Sequence, residues 1–330
     1  MEYSRTVAGQ LQLDDYVEIA HRIYSENDKY RSIWDIWAHT LHHAAGIAEA
    51  IRKSEPAPDL FDEIADCSLW LLTAIYRMSK KMAEPDGHDN EPPETLIRIK
   101  SSCSNLLWQR YPAVCHLCYL RRTEGDRKKE NASTFLVCDC LVHRSDPPYS
   151  KETKRRALAA LRKFGQEMLP NKPKTIDEWQ EMFGRVFASN IDRLSLTDFA
   201  LHFLEELGEV SDAMIRIYSY KEAGFTAEEA TERQFRLEAQ LADSFSRLFA
   251  IVGKINRVAE KGSEYYRELF KQLSTCTEPI RLSAILWRRY GRDDWNSFWC
   301  RFCGQMPCKC NLIFVPANRP IKEFLQLLEH

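Results

Sequence analysis

The chain is poor in the residues that interrupt helices. Its 330 residues include only 12 glycines and 14 prolines, gathered into connections such as EPAPD, EPDGHDNEPPE, SDPPYS and LPNKPK. It is equally poor in alternating apolar and polar residues. Outside FLVCDC (Phe135–Cys140) and NLIFV (Asn311–Val315) almost nothing reads as a strand, which argues against a sandwich or barrel. Charge of one sign is not in excess either. Lys and Arg total 46, Asp and Glu 48, and the net charge of −2 argues against nucleic acid as the main partner. The strongest apolar run, Leu69–Tyr76, is too short to span a bilayer, so no membrane partner is expected. The opening MEYSRTVAGQ lacks the apolar core of a secretory signal, and the expectation is a cytoplasmic protein.

Cysteine, by contrast, is plentiful. There are 11, and most fall into close pairs: Cys115-x-x-Cys118 with Cys138-x-Cys140, and Cys300-x-x-Cys303 with Cys308-x-Cys310. In a reducing compartment paired cysteines point to metal rather than to disulfides. Four soft thiolates fill a tetrahedral Zn²⁺ shell, so each set is expected to hold a structural zinc with no open position. An Fe–S cluster is the alternative. The remaining cysteines, Cys67, Cys103 and Cys276, read as buried apolar residues.

The chain is also written twice. At the 163-residue offset that carries Asp14 onto Asp177, Tyr16 falls on Trp179, Arg22 on Arg185, Asp35 on Asp198, His39 on His202 and Ala50 on Ala213. After an insertion, EIADCSLWLL from Glu63 lies against QLADSFSRLF from Gln240, and LLWQRY (Leu106–Tyr111) against ILWRRY (Ile285–Tyr290). Each copy then ends in its cysteine set. Repetition in this order defines a first repeat over 1–145, a linker over 146–173 and a second repeat over 174–330. Apolar residues such as Phe199, Phe203, Leu207 and Val210 recur at helical spacing. The fold class expected is all-α: two tandem bundles of roughly four helices, paired as an internal pseudo-dimer, each finished by a small zinc knuckle. KETKRRALAALRKFG in the linker reads as a basic amphipathic helix, a connector or docking helix rather than a nucleic-acid arm. Trp108 and Trp287, in the two LW blocks, are expected in the core.

The stretch LHFLEELGEV (Leu201–Val210) places Glu205, Glu206 and Glu209 on one helical face among apolar residues. Asp243 lies in a second apolar helix of the same repeat. Packed carboxylates repel one another unless a cation or water lies between them, and hard oxygen ligands suit Mg²⁺ or Mn²⁺. An acidic, solvent-facing stripe is the plain alternative.

LHFLEELGEVSDAM followed by QLADSFSRLF resembles the MazG-like all-α nucleoside triphosphate pyrophosphohydrolases, whose pattern is Glu-x-x-Glu on one helix and Glu-x-x-Asp on the next. The resemblance covers most of each repeat but not the knuckles. It implies a helical bundle that binds Mg²⁺ or Mn²⁺ and cleaves a nucleotide to its monophosphate and pyrophosphate. Glu206, Glu209 and Asp243 would then be metal ligands, with the metal activating the attacking water. The chain departs from the pattern at Gln240, which stands where the second motif has its glutamate. The first copy departs in the complementary way. It has His43 and Gly46 where the second has Glu206 and Glu209, yet it keeps Glu63 and Asp66 as an intact Glu-x-x-Asp. Glu63 and Asp66 could complete a shared site across the pseudo-dimer. His42 and His43 read as a surface pair or packed imidazoles before they read as ligands. Lys254 and Arg257, with Asn256, and Arg77, Lys80 and Lys81 in the first copy, are candidates to hold phosphate, or ordinary basic residues near a helix end. The expected role is therefore a Mg²⁺-dependent hydrolase acting on a nucleotide. The alternative is an inactive relative that binds a nucleotide or a protein, with a homo-oligomer also open.

Overall fold

The protein is described from a computed structural model over residues 8–53, 57–79, 99–119, 138, 151–218, 226–260, 279–292 and 297–310. The fold is all-α. The first half supplies α1 (Leu13–Asp28), α2 (Ile33–Lys53), α3 (Ala57–Ser79) and α4 (Cys103–Arg110). Helix α5 (Lys151–Glu167) and a 3-10 turn (Leu169–Asn171) lead into the second half. There follow α6 (Ile176–Val186), α7 (Ala188–Arg193), α8 (Leu196–Tyr218), α9 (Ala227–Glu260) and α10 (Leu282–Tyr290). A small antiparallel ribbon, β1 (Gly291–Arg292) against β2 (Ser297–Phe298), follows α10. The sequence did not announce it. The strand-like FLVCDC and NLIFV lie outside the described residues, except for Cys138. Among the described residues no helix is long and apolar enough to cross a membrane.

Local chemistry starts corresponding helices in the same way. Ser32 and Asp35 cap α2 reciprocally: the Ser32 amide donates to Asp35 Oδ2 at 2.9 Å and the Asp35 amide to Ser32 Oγ at 3.1 Å. Ser195 and Asp198, their counterparts at the 163-residue offset, cap α8 with the same 2.9 and 3.1 Å bonds. Each box satisfies amides that the first helical turn leaves without partners. Where α1 runs unbroken, its counterpart splits at Phe187 into α6 and α7.

Counterparts also touch each other. Gln12 pairs with Thr175 in an isolated antiparallel bridge. Helix α2 packs on α8, where Trp37 Nε1 donates to Ser211 Oγ at 2.8 Å. A seam between the two halves runs along these elements. The short last helices cross over it: α4 packs on α9 of the second half and α10 on α3 of the first.

These crossings merge the two cores. Phe183 is fully buried, stacked on Phe249 at 5.3 Å and on Phe187 at 5.8 Å, and meets Tyr111 of the first half edge-on at 5.4 Å. Trp108 and Trp287 are both buried, Trp108 donating to the Gly165 carbonyl of α5 at 2.9 Å. Removing the Phe183 ring leaves a cavity shared by both halves. Phe183→Ala should therefore cost about 3–5 kcal/mol of unfolding free energy. Urea denaturation followed by probes in each half should show one common transition displaced together; a shift confined to the second half would contradict the shared core.

Candidate functional site

Each repeat places an aspartate on its long central helix, and the opposite repeat claims it. Asp243 on α9 receives Arg110 Nε at 2.9 Å and Nη2 at 2.6 Å, a two-pronged pair, and the Tyr111 hydroxyl at 2.7 Å. In the other half Asp66 on α3 receives Arg289 Nε at 3.0 Å and Nη2 at 2.8 Å, and the Tyr290 hydroxyl at 2.5 Å. Arg301 adds a contact to Asp66 at 2.8 Å, and Arg289 also pairs with Asp62. The Arg-Tyr pairs come from LLWQRY and ILWRRY, blocks read from sequence as a repeat match and for their tryptophans. The signal was present: Arg-Tyr recurs at the same place in both copies, as do the aspartates.

The electrostatics follow from burial. Burial works to raise the Asp243 pKa, but the Arg110 guanidinium and the Tyr111 hydroxyl outweigh it and hold it low. Burial and the Asp243 charge push Tyr111 well up, so its hydroxyl keeps the proton it donates. At Asp66 burial wins, and the pKa is raised despite Tyr290 and Arg289. His116, buried beside Arg110, is pushed down to about 3 and stays neutral.

The first-motif acids are engaged less tightly. Glu206 accepts from Arg247 Nη2 at 3.2 Å and Nε at 3.3 Å. Burial first, then the nearby Asp243 charge, raise its pKa to about 7 in spite of that arginine. Glu209 is exposed, and Glu205, also exposed, lies 3.1 Å from His202 Nδ1. Gln240 Oε1 is buried with no donor among the described residues. In the first copy His43 Nδ1 meets Glu63 Oε2 at 2.8 Å, while His42 is exposed. A Cβ at Gly46 would stand 2.5 Å from Glu63 Oε2, so a side chain there would displace that carboxylate.

The expected phosphate residues are placed otherwise. Lys254 is buried and donates to the Ile191 carbonyl at 2.7 Å, just as Arg77 donates to the Asp28 carbonyl at 2.8 Å in the first half. Both fasten the end of a neighbouring helix. Arg257 pairs with Asp192 at 2.6 Å and Glu260 at 2.9 Å, and Asn256 bonds both backbone groups of Ile280. Lys80 and Lys81 lie outside the described residues. A shallow, open cleft is bounded by Leu106, Arg110, Leu158, Arg162, Phe235 and Glu238, none of them a motif acid.

Among the described residues, the groups of three or more side chains placed to hold a metal are cysteines alone. Cys300, Cys303, Cys308 and Cys310 converge, as do Cys115, Cys118 and Cys138; Cys140 and the basic loop before it lie outside the described residues. The sulfurs stand 3.6 Å apart for Cys300–Cys310, 3.9 Å for Cys303–Cys308 and 3.7 Å for Cys118–Cys138. A disulfide would bring them to about 2.05 Å. Four sulfurs at about 2.3 Å from a tetrahedral ion stand about 3.8 Å from one another. These sets could therefore hold a metal ion such as zinc. Gly304, at φ +61°, turns the chain after Cys303, a left-handed position that a side chain would strain. Cys67 and Cys103 are buried apart from both sets. Comparison adds nothing to this geometry: no family model, no curated protein and no solved structure matches the chain.

Two outcomes are expected of the carboxylates. Asp243→Leu alone strands the Arg110 charge and should cost about 3–5 kcal/mol, whereas Arg110→Met with Asp243→Leu should recover most of it. Equal losses in the single and double variants, by urea denaturation, would show that the pair is not the source. For Glu206 the folded pKa lies above its ordinary 4.5, so the native state holds the extra proton between about 4.5 and 7. Its contribution therefore weakens as pH rises through that window. Glu206→Gln should flatten this part of the stability profile relative to wild type; parallel profiles would refute the shift.

Proposed function

We propose that the chain is a MazG-like pair of bundles that acts as a binding scaffold and not as a pyrophosphohydrolase, fastened by two structural zinc ions. One observation carries this reading. The aspartate corresponding to the family's metal ligand is bonded by an arginine and a tyrosine of the opposite half, in both copies. A carboxylate gripped by a guanidinium has little left to offer Mg²⁺, and Lys254 is turned to the backbone, away from any phosphate role. The internal duplication fits the same picture, since a fused pair needs permanent contacts between its halves. For the zinc sites, Cys115, Cys118, Cys138 and Cys140 would hold one ion and Cys300, Cys303, Cys308 and Cys310 the other. With four thiolates each, these ions would brace the fold and leave no position for substrate.

A partner protein suits the exposed apolar side chains better than a nucleotide does. Leu117 and Phe302 stand at the same place in their CxxC turns, 46% and 72% exposed. The hydrolase reading keeps one observation in its favour: the orphaned Gln240 Oε1, in the motif beside exposed Glu209 and half-buried Glu206.

Pyrophosphate release from ribo- and deoxynucleoside triphosphates, with Mg²⁺ or Mn²⁺, separates the two. Zinc-loaded protein should give no turnover, and metal analysis should return two zinc ions per chain. Turnover that disappears in Glu206→Gln, Glu209→Gln would overturn the scaffold reading and restore the hydrolase.

A further inference from the structure

We infer that each thiolate cluster is completed by the opposite half of the chain, through an asparagine that donates to a cluster sulfur. Asn27, near the end of α1, donates from Nδ2 to Cys308 Sγ at 3.1 Å. Asn190, in α7, donates from Nδ2 to Cys138 Sγ at 3.3 Å. Asn27 and Asn190 are counterparts at the 163-residue offset, and Cys308 and Cys138 each open the CxC of their set. The backbone repeats the arrangement. The Cys308 amide donates to the Ile23 carbonyl at 2.6 Å, and the Cys138 amide to the Val186 carbonyl at 2.7 Å. Ile23 and Val186 are again counterparts. All four side chains in the two Asn–Cys pairs belong to residues no more than 2% exposed. The same two bonds, made twice in crossed directions, are a built feature of the fold.

The chemistry says what the asparagines are for. A neutral thiol is a weak acceptor, whereas a thiolate accepts strongly. An amide N–H aimed at sulfur therefore suits a deprotonated, metal-bound cysteine and draws off part of its charge. In the Asn190 pair the carboxamide oxygen is buried with no partner among the described residues, so that side chain is held for its N–H at the expense of its carbonyl. Outer donors of this kind orient ligands and tune the ion they hold. Here they also come from the other half. Metal binding and pairing of the halves thus share bonds, and each favours the other. Asn27 and Asn190 are positioning residues, since they act on the metal through a ligand.

This inference rests on the metal reading above, and timed alkylation tests both on the full zinc-loaded chain. A chelator is added with iodoacetamide, and peptide mapping by mass spectrometry reports each cysteine set separately. Asn27→Ala should speed labelling of the Cys300–Cys303 peptide about 10-fold and leave the Cys115–Cys118 peptide unchanged. Asn190→Ala should do the reverse. The near-isosteric Asn27→Asp and Asn190→Asp variants, which replace the donor by a like charge, should give the same crossed pattern even if the alanine variants fold poorly. Equal acceleration of both sets, acceleration of the near set, or no change would each overturn the crossed clip. Wild-type thiols that are metal-protected, yet indifferent to both asparagines, would sink the clip alone. Wild-type chains that carry no metal would sink the metal reading with it.

Discussion

The structure turns on one buried charge pair made twice, an aspartate of one half held by an arginine and a tyrosine of the other. Asp243 is 4% exposed and Asp66 2% exposed, depths at which an unpartnered carboxylate would lose its charge. Supplying the cation from the opposite half makes that charge conditional on pairing. A half separated from its neighbour would expose both the aspartate and the apolar surface of α3 or α9. A buried ion pair of this sort need not add stability over well-packed apolar residues. What it fixes is orientation, since α4 and α10 each dock with their arginine on the opposite aspartate.

The cysteine clusters extend the same logic beyond the last helix of each half. The first is linked through Cys138 to α6 and α7, the second through Cys308 to α1, so both clusters reach across. Charge pairs and clusters lie next to each other along the chain: Arg110 and Tyr111 precede Cys115, and Arg289 and Tyr290 precede Cys300. Each crossing arm therefore carries first a guanidinium for the opposite aspartate, then sulfurs for the opposite asparagine. The arm is held at two points, which restricts how the halves can rotate against each other.

Much of this was legible as pattern and little of it as contact. Helical spacing around Phe199, Phe203, Leu207 and Val210 identified a buried stripe, and all four residues are fully buried. The cysteine pairs announced by their spacing alone that their sulfurs would converge. The crossing was not legible, because a repeat aligned with itself shows which residues correspond, not which half each one touches. Nor was the position of Arg247 legible beside the acids of LHFLEELGEV. On α9 it comes to lie over the Phe187 ring, at 5.4 Å, and against Glu206. Asn27 and Asn190 passed unnoticed, since a polar residue near a helix end has many ordinary uses.

The differences between the halves make sense as alternative ways of settling the same charges. At the place of Arg247 the first half has Trp70, and the cation over its ring is Arg31, at 5.0 Å, from the turn before α2. At the place of Glu206 it has His43, whose Nδ1 stands 2.8 Å from Glu63 Oε2 where Arg247 donates to Glu206. Where Glu63 leans on α2, Gly46 gives it room; where Gln240 replaces Glu63, the counterpart of Gly46 can be Glu209 without facing a second carboxylate. Each substitution is answered by another within reach, and in both halves the answer is a protein cation or a removed acid. A divalent metal is one way to hold a carboxylate cluster in a helical bundle. Here Arg110 stands against Asp243 and Arg247 against Glu206, and the two cysteine sets gather where the halves meet.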